Sequence, residues 1–568
     1  MKETTKRRAV ERAPVAWTKQ LRADERALAR RIPTRASHKT VLEASARLAD
    51  SRYAGQLDGV LGTLHDAVPT VELALANGRR ALVHDRPAEA LRWLVRAQSL
   101  VSAKAPAVVA RIAFLLGSVY ISGNELVAAD AVLAWVEGIL GDRAAKSADV
   151  LHLQALIAEG RGHRDDAMTL YREVLKRANF ALTPMTRVLA LRNLAEAIAH
   201  SQPQESAALY GLALAVLDTD ELDSAMRCAI DNGMGYALLC SGDIDGARLK
   251  LQQALTEAGR VASGRVQLYA KFNLAIVDEL GGDLAAAQTA LEDVEANAAR
   301  SGIDELVGWV RIRSVWLVLR SAGRQAAAAA LRKAFPSTPG QGYRDAIAVL
   351  SALIHLQDRR ASSRAELASL AAIYRERGDA LTDFTLTLWL AHADAAGGRT
   401  AAARRNVRHA CALGSERGFR LGTSWWSADL VEVARAYAAP ESTAFVERLF
   451  APPASPGAAP ASMVIVSRDG SISVDGDVLD AEVWRVGRSG SGVLLRYFRA
   501  LLSAYPAALA RDALADLLWP QSEGDKAIRN LYAATKDLRR VLAGIPGIRL
   551  EVAEGAYRLD LGSNISVR

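Results

Sequence analysis

Asn273-Leu274-Ala275-Ile276-Val277-Asp278-Glu279-Leu280, then Gly281-Gly282-Asp283, then Leu284-Ala285-Ala286-Ala287-Gln288-Thr289-Ala290-Leu291 reads as two apolar-rich helical stretches joined by a tight turn. Turns of the same kind stand at Asp85-Arg86-Pro87, Ser122-Gly123-Asn124, Gly160-Arg161-Gly162, Ser241-Gly242-Asp243, Ala322-Gly323-Arg324 and Gly397-Gly398-Arg399. Small residues recur in step with them at Ala90, Ala128, Ala167, Ala207, Ala247, Ala287, Ala328, Ala365 and Ala403, 37–41 residues apart. A fixed period of this size means one supersecondary unit used repeatedly. The small residue lets the two helices of a unit approach closely. A bulky one four positions later, as at Leu94, Tyr171, Leu251 and Leu291, fills the groove between them.

A chain of 568 residues is too long for a single core, so a repeat array joined to other domains is expected. Half the residues are apolar, yet no uncharged apolar run reaches the roughly 18 that a membrane span needs. The N-terminus is basic and lacks a signal peptide's apolar core. Cys228, Cys240 and Cys411 lack metal-ligand spacing. Together these features point to a reducing, cytoplasmic setting without membrane association. The formal charge of +8 is unevenly placed, because residues 1–35 hold eleven Lys and Arg against four Asp and Glu. That basic arm is either an extra phosphate-contacting segment or a solvated tail.

Ala451-Pro452-Pro453-Ala454-Ser455-Pro456-Gly457-Ala458-Ala459-Pro460 has almost no apolar bulk and two features that break helices, proline and glycine. Beyond it the pattern changes. Met463–Val466, Ser471–Val474 and Val478-Leu479 read as short strands, and helices are expected at about 491–504, 511–518 and 524–543. In the last helix Ala527, Leu531, Ala534, Leu538 and Val541 form a core stripe, while Arg529, Ala533, Lys536 and Arg540 lie on the opposite face beside Lys526 and Asn530. Ile548–Val552 and Tyr557–Leu559 read as a hairpin around Ala553-Glu554-Gly555-Ala556.

The spaced alanines, the Gly-Asp turns and the Asn193-Leu194-Ala195 and Asn273-Leu274-Ala275 segments resemble the tetratricopeptide repeat over about residues 40–445. The segment from Asp512 to Trp519-Pro520, the Leu538-Arg539-Arg540-Val541-Leu542 helix end and Tyr557-Arg558-Leu559 resemble the OmpR/PhoB-type winged helix over about 463–562, in its antibiotic-regulatory-protein-like form. The fold class expected is mainly α, a tetratricopeptide-like α-solenoid followed by a small α+β winged helix-turn-helix. Its domains would be a basic arm (1–38), a helical-repeat domain (39–450), a linker (451–462) and a winged helix (463–568).

The resemblance implies a bacterial, nucleoid-associated transcriptional regulator that binds double-stranded DNA, works as a homo-oligomer and has RNA polymerase as a further candidate partner. Lys526, Arg529, Asn530 and Ala533 would meet base edges or the adjoining backbone, and Lys536, Arg539, Arg540 and the wing's Arg558 would meet phosphate. A peptide, protein or small-molecule effector is expected in the repeat groove at Asn193, Asn232 and Asn273. Arg192, Arg227 and Lys271 stand nearby to neutralise a carboxylate. The alternative is that these asparagines only satisfy polar groups between packed helices. The wing departs from the family, with Ala556 before the tyrosine and the anion Glu554 beside it. Residues 463–568 hold fourteen Lys and Arg against thirteen Asp and Glu, too even a balance for strong DNA binding by one copy. The rival reading is a scaffold whose winged helix binds protein rather than DNA. No GxxxxGK[ST], HExxH or GxSxG segment occurs, and the histidines are scattered. No enzyme activity, metal or cofactor is therefore expected.

Overall fold

The computed structural model describes residues 70–177, 184–219, 224–336, 343–356, 361–420, 422–449, 489–520, 524–543 and 547–562, with short pieces at 48–51, 464–467, 470–474, 477–478 and 565–567 and a few isolated positions. The basic arm 1–38 and the linker 451–462 lie outside the described residues. The described residues fall into two compact units. One takes those up to Ala197, those of Ala208–Ile230 and those of Ser455–Arg568; the other takes Ile198–Ala207 and Asp231–Ala454.

Helical hairpins build the array. In chain order the helices are α1 (Val71–Val83), α2 (Pro87–Leu100), α3 (Pro106–Ser122), α4 (Leu126–Leu140), α5 (Ala148–Gly160), α6 (Arg164–Arg177), α7 (Met185–Ile198) and α8 (Pro203–Thr219). They continue with α9 (Arg227–Ser241), α10 (Ile244–Arg260), α11 (Gly264–Leu280), α12 (Leu284–Arg300), α13 (Asp304–Ala334), α14 (Arg344–Leu356), α15 (Ala361–Glu376), α16 (Ala380–Ala396), α17 (Thr400–Arg417), α18 (Ala428–Tyr437) and α19 (Thr443–Leu449). The solenoid expected from the period is therefore present.

One backbone device makes the turns. Each of the seven turn clusters read from the sequence contains a residue with positive φ: Asp85 (54°), Asn124 (60°), Gly162 (81°), Gly242 (78°), Gly282 (91°), Gly323 (79°) and Gly398 (73°). A left-handed residue ends one helix and reverses the chain, and glycine adopts it without strain. The aspartate that follows glycine starts the next helix. Asp243 Oδ1 accepts from Gly246 N at 3.0 Å and Asp283 Oδ1 from Ala286 N at 2.9 Å. Each such cap stabilises its helix by about 1 kcal/mol. Gly323, with φ of 79° and ψ of −177°, interrupts α13, so that element is two helices meeting at a kink.

Packing follows the small-residue rule, with three shifts of register. Ala90, Ala167, Ala247, Ala287 and Ala403 are fully buried, and so are Leu94, Tyr171, Leu251 and Leu291. Ala128 and Ala328 are only half-buried, and their neighbours Ala129 and Ala327 take the buried position; Ala365 is exposed and Ser363 replaces it. The facing helix can be equally constrained. A Cβ on Gly235 would stand 2.6 Å from Leu251 Cγ, and one on Gly78 would stand 2.7 Å from Leu94 Cγ. The Trp316, Trp425 and Trp426 rings are buried in the core, whereas Trp309 is exposed and packs edge-on against Tyr343 at 5.4 Å.

In the second unit the array touches itself across a long stretch of sequence. His200 O accepts from Leu381 N at 2.9 Å, and Gln204 Nε2 donates to Gly418 O at 2.7 Å. The His200 ring lies between Asp379 Oδ2 at 2.9 Å and the Tyr236 hydroxyl at 2.7 Å.

The C-terminal module holds the helices expected of it: α20 (Ser491–Ala504), α21 (Arg511–Leu518) and α22 (Gly524–Leu542). Its first sheet runs β3 (Asp477–Val478), β2 (Ile472–Val474), β1 (Val464–Val466) and β7 (Ile565–Val567), the last parallel to β1. Its second sheet runs β4 (Leu509–Ala510), β6 (Ala556–Leu561) and β5 (Ile548–Ala553). The core among the three helices and the second sheet is Leu494, Tyr497, Phe498, Leu501, Leu514, Leu531, Leu538, Tyr557 and Leu559, all buried. The arrangement is a small α+β winged helix-turn-helix.

Candidate nucleic-acid interface and ligand groove

Helix α22 is amphipathic in the way its sequence predicts. Ala527, Leu531, Ala534, Leu538 and Val541 are buried, while Lys526, Arg529, Ala533, Lys536, Arg539 and Arg540 are exposed and Asn530 is half-buried. Polar contacts fix the buried side. Thr535 donates to Leu531 O at 2.7 Å and meets the Tyr497 hydroxyl at 3.0 Å, and Asp537 accepts from the Ser489 hydroxyl at 2.7 Å. Asp537 is thus turned inward, 3.8 Å from Arg540, and leaves the outer stripe mainly cationic. The stripe also carries Tyr532, 53% exposed, which the sequence reading passed over. Its place three after Arg529 and four before Lys536 puts it on that face and was enough to find it.

The hairpin stands beside this helix. Residues Ile548 to Ala553 pair in register with Leu561 back to Ala556, and the two-residue turn Glu554-Gly555 has φ of 51° and 78° at its exposed tip. Such primed turns match the twist of a hairpin. Gly555 O accepts from Arg511 N at 2.8 Å, so the tip is tied to the start of α21. Arg558 is exposed but its Nε donates to Glu551 Oε2 at 2.6 Å, so its charge is partly met within the hairpin.

The module rests on the array within the first unit. A Cβ on Gly211 of α8 would lie 2.7 Å from Ala504 Cβ and 2.9 Å from its Cα, so only glycine allows this approach. Next to it Asp218 accepts from the Ser503 hydroxyl at 2.7 Å and is paired with Arg227.

In the array, the candidate asparagines make internal bonds. Asn193 Nδ2 donates to His152 Nε2 at 2.9 Å in the first unit, and Asn273 Nδ2 donates to Asn232 Oδ1 at 3.1 Å in the second. Burial, then the charges of Arg111 and Arg192, push His152 down to about 3, so it is neutral and free to accept. Asn273 is buried, whereas Asn193 and Asn232 are half-buried. Lys271 meets Asp293 at 2.8 Å and Arg192 lies 3.6 Å from Glu196. Arg227 is paired with Asp218.

A pattern missed in the sequence explains these bonds. Arg111, His152, Asn193, Asn232, Asn273 and Arg313 follow one another 39–41 residues apart, at one register position of successive first helices. Each meets a polar partner on the same or a neighbouring helix. Arg111 reaches Asp50 at 2.8 Å, Asp149 at 3.3 Å and Thr186 at 3.2 Å, and Arg313 reaches Glu279 at 2.5 Å. The asparagines are members of this internal polar ladder. A ligand reaching them would have to exchange its own bonds for theirs.

The geometry defines a class: a tetratricopeptide-like helical-repeat array carrying a C-terminal winged helix. Neither a family model nor a curated protein matches the chain. Among solved structures it is similar to a Rap protein complexed with Competence and Sporulation Factor, at 12% identity over 61% of this chain and 98% of that one, with a TM-score of 0.50. It is also similar to the apo form of the quorum sensor NprR from B. thuringiensis, at 13% identity over 62% and 99% of the two chains, with a TM-score of 0.44. The Rap likeness is one of fold, the helical-repeat array. No helix among the described residues is long and apolar enough to cross a membrane.

Proposed function

We propose that the chain is a DNA-binding transcriptional regulator whose repeat array senses a ligand or partner and governs its winged helix. The observation that carries the reading is the exposed stripe Arg529, Ala533, Lys536 and Arg540 on a helix whose opposite face is the module's core. A recognition helix needs that division, because one face must dock on its own domain while the other enters the major groove. The small Ala533 lets the helix lie close to base edges, and Asn530 at its side is suited to adenine. The contact of α20 with Gly211 and Asp218 gives the array a physical hold on the module. The complex of the Rap protein with Competence and Sporulation Factor supports reading an array of this fold as a receptor.

The rival reading, a scaffold whose winged helix meets protein, draws on a specific pair of observations. The module has nearly balanced charge, and Tyr532 exposes an aromatic ring of the sort enriched at protein interfaces. Electrophoretic mobility shift of the full chain with DNA fragments selected from a genome separates the two. Binding through about six phosphates gives a slope near −5 for log K against log salt. Arg529→Ala with Lys536→Ala should abolish the specific shift; an unchanged shift sinks the assignment of α22.

A further inference from the structure

The second unit holds a cavity of about 670 Å³ between α13, α14, α16 and the start of α18. Its inner surface is apolar and aromatic. Trp316 and Trp389 meet edge to face at 6.3 Å, with Leu319, Leu353 and Leu356 beside them. Both rings are fixed, since Trp316 Nε1 donates to Glu279 at 2.9 Å and Trp389 Nε1 to Trp425 O at 2.7 Å. The remaining wall is formed by Arg320, Arg364 and Arg399, with His392 and Asp429.

These arginines are positioned by two fully buried carboxylates that stand behind them. Glu279 accepts from Arg313, from Trp316 and from Arg320 at 3.1 Å. Asp394 accepts from Arg364 Nε at 2.6 Å and Nη2 at 2.9 Å, from Arg399 Nε at 2.7 Å and from Asn406 at 3.0 Å. Burial alone would raise the Asp394 carboxyl, but Arg364 and Arg399 hold it below the ordinary carboxylate value. With Arg313 behind the wall, four arginines stand against three acids, Glu279, Asp394 and the lining Asp429, so one positive charge is left over and the guanidinium groups are held in place. The Arg399 fork lies against Gly397, where a Cβ would come within 2.9 Å of its Nη1. The acid nearest the cavity, Asp429, is exposed and accepts from the Ser427 hydroxyl at the start of α18, at 3.0 Å.

We infer that this cavity binds a ligand with a flat or branched apolar body and a free carboxylate. The body lies against Trp316, Trp389 and the leucines, and the carboxylate is gripped by Arg320, Arg364 and Arg399. The volume falls in the usual range for small-molecule sites, roughly 300–1,000 Å³. A guanidinium whose Nε edge is already held, as that of Arg364 is by Asp394, offers its Nη1–Nη2 edge to a ligand carboxylate and costs little to arrange. The inference deepens the reading of the array as a sensor and rests on it. It places the effector away from Asn193, Asn232 and Asn273. The carboxylate can belong to a small organic acid or to the C-terminus of a peptide.

The test is calorimetric titration of the full chain, without DNA, using two matched pairs: indole-3-acetate with indole-3-acetamide, and N-acetyl-Leu-Trp with its C-terminal amide. At least one acid should bind with a Kd below 1 mM and at least tenfold more tightly than its amide. Preference for the first pair assigns a small acid and for the second a peptide end. Arg364→Lys keeps the charge but loses the fork, and should weaken binding about tenfold. Ala396→Phe, at an exposed position on the rim, should block binding while leaving thermal stability unchanged. Equal binding of acid and amide, full binding by the Ala396→Phe protein, or no binding by either acid overturns the proposal. Acids that bind yet leave DNA affinity unchanged uphold the cavity and count only against the sensor reading.

Discussion

Ser503 donates its hydroxyl to Asp218 at 2.7 Å, joining the first helix of the C-terminal module to a helix of the array. The residues are 285 apart in sequence. Asp218 is also bound to Arg227, so one carboxylate serves both parts. Gly211 and Ala504 set the distance of approach beside it. Gly211→Val should separate the module from α8 because the obstructing atoms include backbone, which cannot rotate away. Hydrogen exchange in Ser491–Ala504 should rise, while the amides of Val71–Val83 keep their protection. Unaltered exchange in α20 would mean that this contact does not hold the module. Ser503→Ala is the milder form and should cost about 0.5–1.5 kcal/mol of docking, since Arg227 still satisfies Asp218.

The wing gives a prediction of the opposite sign. Glu551 occupies Arg558 and adds a negative charge to a surface proposed to face phosphate. Glu551→Gln should therefore tighten DNA binding several-fold at low salt and steepen its salt dependence. Weaker or unchanged binding in mobility shifts would place the hairpin away from the backbone.

The buried histidine of the polar ladder makes the first unit sensitive to acid. Its folded pKa, about 3, lies below the unfolded value near 6.5, so its contribution is complete above pH 6.5 and is lost as the pH falls toward 3. The loss is about 1.4 kcal/mol per pH unit within that window. His152→Phe should flatten the slope between pH 6.5 and 4.5 in urea unfolding, because the site already lies between Phe114 and Tyr171. A slope identical to that of the parent protein would assign the acid sensitivity to other groups.

His200 has the reverse linkage. Burial pulls its pKa down, but the Asp379 carboxylate more than offsets this and raises it well above the ordinary value. The stability it adds is complete below pH 6.5 and disappears as the pH rises through the folded pKa. Asp379 also caps α16, accepting from Thr382 N at 3.0 Å. Asparagine caps about as well but carries no charge. Asp379→Asn should return the His200 titration, followed by NMR, to near or below the ordinary range without fraying α16. A titration still far above it would show that Tyr236 or another group raises the pKa.

Close packing inside a hairpin can be tested at Gly235. Gly235→Ala should cost about 1–3 kcal/mol through its clash with Leu251, and Leu251→Ala about 2–5 kcal/mol by opening a cavity. The double variant should cost clearly less than the sum, because each change relieves the other. Additive costs in urea denaturation would rule out the contact as the cause.

Much of the fold was legible because it is local. The turn clusters needed a left-handed residue, and the structure has one in each, from Asp85 to Gly398. The bounds of α20, α21 and α22 followed from their apolar periodicity and from Pro506 and Pro520, which cannot continue a helix. Register was less secure. At Ala128, Ala328 and Ala365 the run of alanines offers several small residues, and only the facing helix decides which is buried. The two faces of α22 could be read from periodicity, though its exposed tyrosine was overlooked. The cavity could not be read at all. It depends on Arg320 and Arg364 on two helices and Arg399 in the turn before α17 converging, and on Asp394, which resembles any other helix aspartate in the sequence. The same is true of the Gly211–Ala504 contact, where neither residue differs from dozens like it.

The left-handed turns have a consequence for how such a chain can change over generations. At six of the seven the backbone bonds close within the hairpin, as where Gly282 N meets Glu279 O at 3.0 Å and Asp283 N meets Asp278 O at 2.9 Å. A segment running from one such turn to the corresponding turn of the next hairpin carries all its own reversal chemistry. It can be duplicated or deleted whole without leaving a severed backbone bond at the splice. Array surface can then be added or removed in steps of one hairpin.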